Sequence, residues 1–321
     1  MNAQVQTMIA MMRAAVPPDA PRMWQLPVAE ARARGDAFFS LLNHGGPEMA
    51  ARRDLTLPGR HGAVQARLYV PRSVPATSSL TAHGRQLSSR GLLYLHGGGF
   101  VIGSPDTHDR LCREVAEGIG ARVLSLHYGL APEHPYPAGL DDCVEAARWM
   151  VAHAPSLGID PARLAIGGDS AGANLAAATI LRLRDEKAPV RFRAALLLYG
   201  RFTHEDTASI LAWGTRDLVL SKPVMDWFKD HYVGARGDPQ DPYLNPLAGD
   251  LHGFPPSIVV VGTLDPLLDD SRLFAAALEK AGVPVQLRVY DDGLHAFMQF
   301  SVLDMCGDAI AKVCAFARGA L

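Results

Sequence analysis

The sequence predicts an α/β fold: a mostly parallel central sheet flanked by helices, carrying a small helical cap. Three observations predict it. From Gly91 onward, short β-branched or leucine-rich runs alternate with longer helical patterns. Several of those runs are apolar throughout, as strands covered by helices on both faces are. One long, aromatic-rich interval separates two of the runs, and it is too apolar to be a plain loop.

The elements follow in chain order. The N-terminal region, to about residue 50, reads as helical. Residues 64–70 place Val64, Ala66, Leu68 and Val70 on one side against Gln65, Arg67 and Tyr69 on the other, which predicts an early strand at the antiparallel end of the sheet. Residues 71–90 are rich in Pro, Ser, Thr and Gly and read as an exposed connection. Strands are predicted at 92–95, 123–126, 164–167, 194–199, 258–261 and 285–290. Between them, 141–154 turns Val144, Ala147, Val151 and Ala154 to one side, and 174–183 and 271–281 are similarly helical. The interval 201–254 contains Trp213, Met225, Trp227, Phe228, Tyr232 and Tyr243, which predicts a lid packed with the N-terminal helices. The expected organisation is a single domain over 1–321, with the cap drawn from about 1–50 and from 201–254.

Composition narrows the functional classes. The 321 residues are 48% apolar and 20% charged, the balance of a globular chain able to bury a large core. A net charge of -2 argues against a broad surface for nucleic acid or anionic lipid. No apolar run approaches the ~20 residues of a membrane helix, so no membrane span is expected. The short run at 8–12 is interrupted by Arg13 and has no basic segment ahead of it, a poor secretory signal, and a cytoplasmic protein is the default expectation. Cys112, Cys143, Cys306 and Cys314 form no Cys-x-x-Cys unit. Cys306 and Cys314 would stand roughly 12 Å apart along one helix, too far for a disulfide, so buried reduced thiols are expected. There is no His-Glu-x-x-His, and His108-Asp109 or Glu133-His134 alone is too little for a metal site.

The chemistry concentrates in four loops that follow predicted strands. Gly168-Asp169-Ser170-Ala171-Gly172 fits Gly-x-Ser-x-Gly between a strand and a helix. Glycines suit the crowded turn, and the helix N-terminus supplies backbone N–H groups near the reacting oxygen. Upstream, His96-Gly97-Gly98-Gly99-Phe100 offers main-chain donors without side-chain obstruction, where a hydrolase of this type keeps its oxyanion loop. The order nucleophile, acid, histidine then selects the later partners. Asp265 lies in the loop after 258–261, whereas Asp269 and Asp270 fall at the start of the next helix as dipole partners. His295 is the only one of twelve histidines placed after the last strand, and His252 fails on order. Asp291 and Asp292 share the histidine's own loop and are rivals to Asp265 in sequence only.

Together these residues resemble the hormone-sensitive-lipase family of α/β hydrolases, and bacterial acetyl esterases within it. The resemblance runs from about Leu92 to Phe316. It is carried by His96 to Phe100, Asp106-Thr107-His108-Asp109-Arg110, Leu130-Ala131-Pro132-Glu133, the serine elbow, 265–273 and Leu294-His295-Ala296-Phe297. Many relatives carry Arg where this chain has Leu268, Gly where it has Ala296, and Arg where it has Gly129. The resemblance implies that the amides of Gly98 and Gly99, together with Ala171, form the oxyanion hole, with Gly97 as a turn residue. It also implies that Glu133 braces the oxyanion loop, a helix-entry or surface role being the alternative. Trp213, Trp227 and Phe228 stand between lining an acyl pocket and packing the cap's own core.

The function expected is a serine carboxylesterase acting on short-chain, acetyl-type esters through an acyl-enzyme. Ser170 is the nucleophile, His295 the general base and acid, and Asp265 the orienting carboxylate. No metal or organic cofactor is expected. The partner is a small, uncharged ester, and the family's habit of pairing subunits through late strands implies a homodimer. An amidase, formamidase or lactonase would use the same residues, and a ligand-binding protein on a retired hydrolase scaffold is the alternative from another class.

Overall fold

The computed structural model describes residues 1–14, 17, 19–74, 89–203, 205–216, 218–234 and 237–321. Most of the connection expected at 71–90 therefore lies outside the described residues. The chain opens with helices α1 (Ala3–Ala14) and α2 (Val28–Leu42), then forms the hairpin β1 (Met49–Gly59) and β2 (Gly62–Pro71). Alternation follows: β3 (Ser89–Leu95), α3 (Asp109–Ile119), β4 (Ala121–His127), α4 (Ala138–Ala152), the short α5 (Ala154–Leu157), β5 (Ile159–Asp169), α6 (Ala171–Asp185) and β6 (Ala194–Leu198). After β6 come α7 (Ala208–Trp213) and α8 (Lys222–Tyr232), then β7 (Ser257–Gly262), α9 (Leu268–Lys280), β8 (Val285–Tyr290) and α10 (Asp304–Ala320).

The eight strands form one sheet in the order β1-β2-β4-β3-β5-β6-β7-β8. Only β2 runs against its neighbours; every pairing from β4 to β8 is parallel. Side-chain alternation divides the core between the two faces. Leu93, Leu95, Ile166, Leu197 and Val259 pack with α4, α6 and α9. Leu92, Tyr94, Ala165, Leu196 and Val260 pack with α1, α3 and α10 on the other side. Every residue from Leu92 to Leu95 is buried, which is why these strands read as unbroken apolar runs.

All seven strands expected from the sequence are present, with two differences. Tyr199, placed inside a strand by the pattern, lies just beyond β6 with a φ of 39°, because the chain turns there toward the 201–254 interval. Strand β1 occupies residues that the sequence left unassigned after the helical N-terminus. It is an edge strand whose exposed positions include Arg52, Arg53, Asp54 and Thr56, so it carries little of the apolar signal that marks a buried strand.

Candidate active site

The parallel strands all end on one side of the sheet, and the loops leaving those ends meet above β3, β5, β7 and β8. At the end of β5 the chain turns sharply into α6 through Ser170, whose φ of 53° and ψ of -118° are unfavourable for any residue with a side chain. Such strain, on the order of 1–3 kcal/mol, persists only where the surroundings enforce it. Here they do. The Ser170 amide donates to the carbonyl of Leu198 at 2.8 Å, and Gly172 passes so close to β3 that a Cβ would stand 1.9 Å from the Leu95 carbonyl oxygen.

The turn aims Ser170 Oγ at His295 Nε2, 2.9 Å away. The opposite ring nitrogen, Nδ1, lies 2.9 and 3.0 Å from the two carboxylate oxygens of Asp265. Asp265 is fully buried and also accepts the amide of Leu267 at 2.8 Å, which fixes the carboxylate plane. An acceptor on Nδ1 puts the ring's proton there and leaves Nε2 free to accept one, the arrangement that activates a hydroxyl nucleophile. The structure thus brings Ser170, Asp265 and His295 together, from three loops 125 residues apart at the widest. His252 is exposed and its Nδ1 stands 2.7 Å from Asp250 Oδ1 instead.

The glycine loop after β3 folds over the same point. Gly98 and Gly99 have φ of 117° and 58°, and among the described residues the amides of Gly98, Gly99 and Ala171 find no protein acceptor. The Gly97 amide is committed elsewhere, to Asp169 Oδ1 at 3.1 Å. Asp169, the residue before the serine, is the post that ties the two loops together. It also accepts the Tyr94 hydroxyl at 2.9 Å and takes a hydrogen bond from His108 Nε2 at 3.2 Å. Burial raises its carboxyl, but His108 and these donors outweigh burial and leave it below the ordinary carboxylate range.

Two further supports were beyond sequence reasoning. Arg32 of α2 donates from Nε to the Val101 carbonyl at 2.8 Å and from Nη2 to the Ala131 carbonyl at 2.9 Å. It also pairs with both Glu133 oxygens, at 2.8 and 2.6 Å. Glu133 therefore reaches the oxyanion loop through Arg32. Asp270, expected as a helix-dipole partner, is instead fully buried, with Oδ1 accepting the amides of Phe202 and Thr203 at 2.9 and 3.1 Å. A carboxylate at a helix start usually faces water; this one is turned inward by the chain leaving β6.

A cleft of about 260 Å³ opens onto Ser170. One wall is apolar, built from Leu220, Met225, Phe228, Val233, Leu244 and Leu267. Phe228 packs directly on the glycine loop: a Cβ on Gly99 would meet its ring carbons at 2.1 to 2.5 Å. Phe100 stacks on Tyr232 of the same helix, with centroids 3.9 Å apart and planes within 4°. Of the three aromatic residues left open by the sequence, Phe228 lines the cleft, Trp213 packs against the α1–α3–α10 side of the core, and Trp227 packs with Tyr232 and Val233. Among the described residues, no cluster of His, Cys, Asp or Glu could hold a metal ion, and no helix is long and apolar enough to cross a membrane.

The profile of the alpha/beta hydrolase fold family matches residues 92–299. The chain is 33% identical over 296 residues to an ethyl acetate hydrolase of Pseudomonas putida, spanning 91% of this chain and 90% of that protein. It is 35% identical over 251 residues to the esterase LipI of Mycobacterium tuberculosis, spanning 77% and 75%. Among solved structures, an ester-hydrolase from the metagenome of Lake Arreo, complexed with a bipyridine phosphonate derivative, superposes with a TM-score of 0.91 at 32% identity, covering 99% of this chain and 98% of that one. A hyperthermophilic esterase of Pyrobaculum calidifontis gives 0.89 at 30% identity, with the same coverage.

Proposed function

The chain belongs to the alpha/beta hydrolase fold family, in its hormone-sensitive-lipase-like branch, and on that premise we propose that it is a serine carboxylesterase for short-chain acyl esters. The observation that carries the reading is the hydrogen-bonded line from Ser170 Oγ through His295 to Asp265 at the mouth of a partly apolar cleft. Ser170 attacks the ester carbonyl and His295 Nε2 takes the hydroxyl proton. Asp265 stabilises the imidazolium that forms. The oxyanion is met by the amides of Gly98 and Gly99 on the loop after β3 and of Ala171 at the N-terminus of the fifteen-residue α6, none of them engaged among the described residues. His295 then returns the proton to the leaving alcohol, and the same imidazole activates water to release the acid and free Ser170.

Acetyl-type chains fit this reading because the cleft holds about 260 Å³ for both halves of the ester. A relative named for ethyl acetate supports the same size class. In this proposal α2, α7 and α8 supply the cap expected from about 1–50 and 201–254, α1 packing instead on the α3–α10 side of the sheet, and the site of action is the cytoplasm, in keeping with four buried, unpaired cysteines. The free edge of β8, with Val289 exposed, would carry a homodimer contact. Hydrolysis of 4-nitrophenyl esters from acetyl to decanoyl, with matched amides and lactones, tests the assignment. Highest kcat/KM on acetyl to butyryl esters is expected; equal or better turnover of amides or decanoyl esters would overturn it.

A further inference from the structure

The cleft has a polar end that acetyl ester hydrolysis does not use. Arg201 lies on its wall, half-buried, with Nε donating to the Thr203 carbonyl at 2.9 Å and Nη1 3.5 Å from Met225 Sδ. Among the described residues it forms no salt bridge. The other charges of the cleft are largely matched: Lys222 Nζ stands 3.1 Å from Asp206 and 2.8 Å from Asp226, leaving Lys229 exposed at the rim. The buried Asp270 is near enough for the Arg201 charge to act on it, but it gives Oδ1 to backbone amides and, among the described residues, makes no hydrogen bond or salt bridge to the guanidinium. A half-buried guanidinium beside a thioether is poorly solvated and keeps donors to spare. The residue's backbone is held by Asn174, whose Nδ2 donates to the Arg201 carbonyl at 2.8 Å, and its Nε is tied to the Thr203 carbonyl.

Resting on the esterase reading, we propose that Arg201 is a specificity-determining residue that binds a carboxylate carried by the ester, so that the preferred substrates are short esters with a free carboxylate. Ser170 and Arg201 line the same cleft, so a short ester can reach both. The carboxylate can belong to the acyl half, as in a half-ester of a dicarboxylic acid, or to the alcohol half, as in an O-acetylated hydroxy acid. Both present the same anion to the same donors, and a planar guanidinium suits a carboxylate better than it suits a hydrocarbon tail.

The test compares each source with its neutral isostere by pH-stat. Ethyl hydrogen succinate is set against ethyl 4-methylpentanoate, and 3-acetoxypropanoate against 3-methylbutyl acetate. At least one carboxylate ester should exceed its isostere in kcat/KM by about tenfold, the scale of one charge-assisted hydrogen bond. Arg201→Gln should bring that ratio to about one or below, and Arg201→Lys should retain part of it. If the wild-type protein favours the neutral ester in both pairs, or if the preference survives in Arg201→Gln, the proposal is overturned. Should Arg201→Gln not fold, the wild-type ratios and Arg201→Lys still decide. No hydrolysis of any of the four esters would instead sink the esterase reading on which it rests.

Discussion

Replacing Asp270 with Asn isolates the cost of ionising a buried carboxyl. Burial pushes the Asp270 carboxyl up to about 6 from an ordinary value of 3.8; Arg201 and the amides of Phe202 and Thr203 oppose the shift, and Asp265 adds to it. The folded-state value lies above the unfolded one, so between these two values the folded protein keeps a proton that the unfolded chain releases. Stability contributed by the neutral acid is therefore lost as pH rises through that window, and above it the buried charge is a constant cost. At 1.36 kcal/mol per unit, the wild-type protein should lose about 2–3 kcal/mol relative to Asp270→Asn between pH 4 and pH 8. Asparagine preserves an oxygen for the two amides, and all other titrating groups cancel in the comparison. Urea unfolding of both proteins at several pH values measures the difference directly. A gap between the two stabilities that stays constant within about 0.5 kcal/mol across that range would refute the reasoning.

The remaining predictions concern the loops around Ser170. Arg32→Ala should lower kcat on 4-nitrophenyl acetate by about tenfold with little change in KM, because a full oxyanion donor is worth ~3 kcal/mol and Arg32 only holds the loop that presents two; unchanged kcat would show that the loop needs no support from α2. Gly99→Ala forces a Cβ onto the Phe228 ring at a φ of 58° and should cut kcat/KM by about a hundredfold. Adding Phe228→Ala should restore part of that loss, and a strictly additive double variant would count against the contact. Asp265→Asn should reduce kcat by about three to four orders of magnitude, the size known for the serine-protease template, while circular dichroism stays native; a loss under tenfold would remove Asp265 from the relay.

Much of this was legible in the sequence because the loops that meet above the sheet each follow a recognisable strand and carry a distinctive run of residue types. Ser170, Asp265 and His295 could be picked out by order and context, whereas the choice of Gly98 and Gly99 within the glycine run comes from the family resemblance. What the sequence did not show is support that crosses between distant segments. Asp169 sat inside the serine motif as an unassigned position, yet it binds Gly97, Tyr94 and His108. Arg32 lies 101 residues before Glu133, in an N-terminal region that the pattern marks only as helical. Arg201 follows β6 with no motif around it, and only the folded cleft sets it on the same wall as Met225. Such residues act through three-dimensional adjacency, and neither spacing nor periodicity encodes that.

The central claim is that Ser170 forms a covalent acyl-enzyme. Treating the protein with a fluorophosphonate and mapping the modified peptide by mass spectrometry tests it most directly, since phosphonylation requires a nucleophile activated as acylation does. The account predicts one adduct per chain on Ser170, loss of ester hydrolysis in proportion to labelling, and no adduct in Ser170→Ala. Hydrolysis that persists in the fully labelled protein or in Ser170→Ala, or an adduct on another residue that accounts for the inactivation, would contradict it.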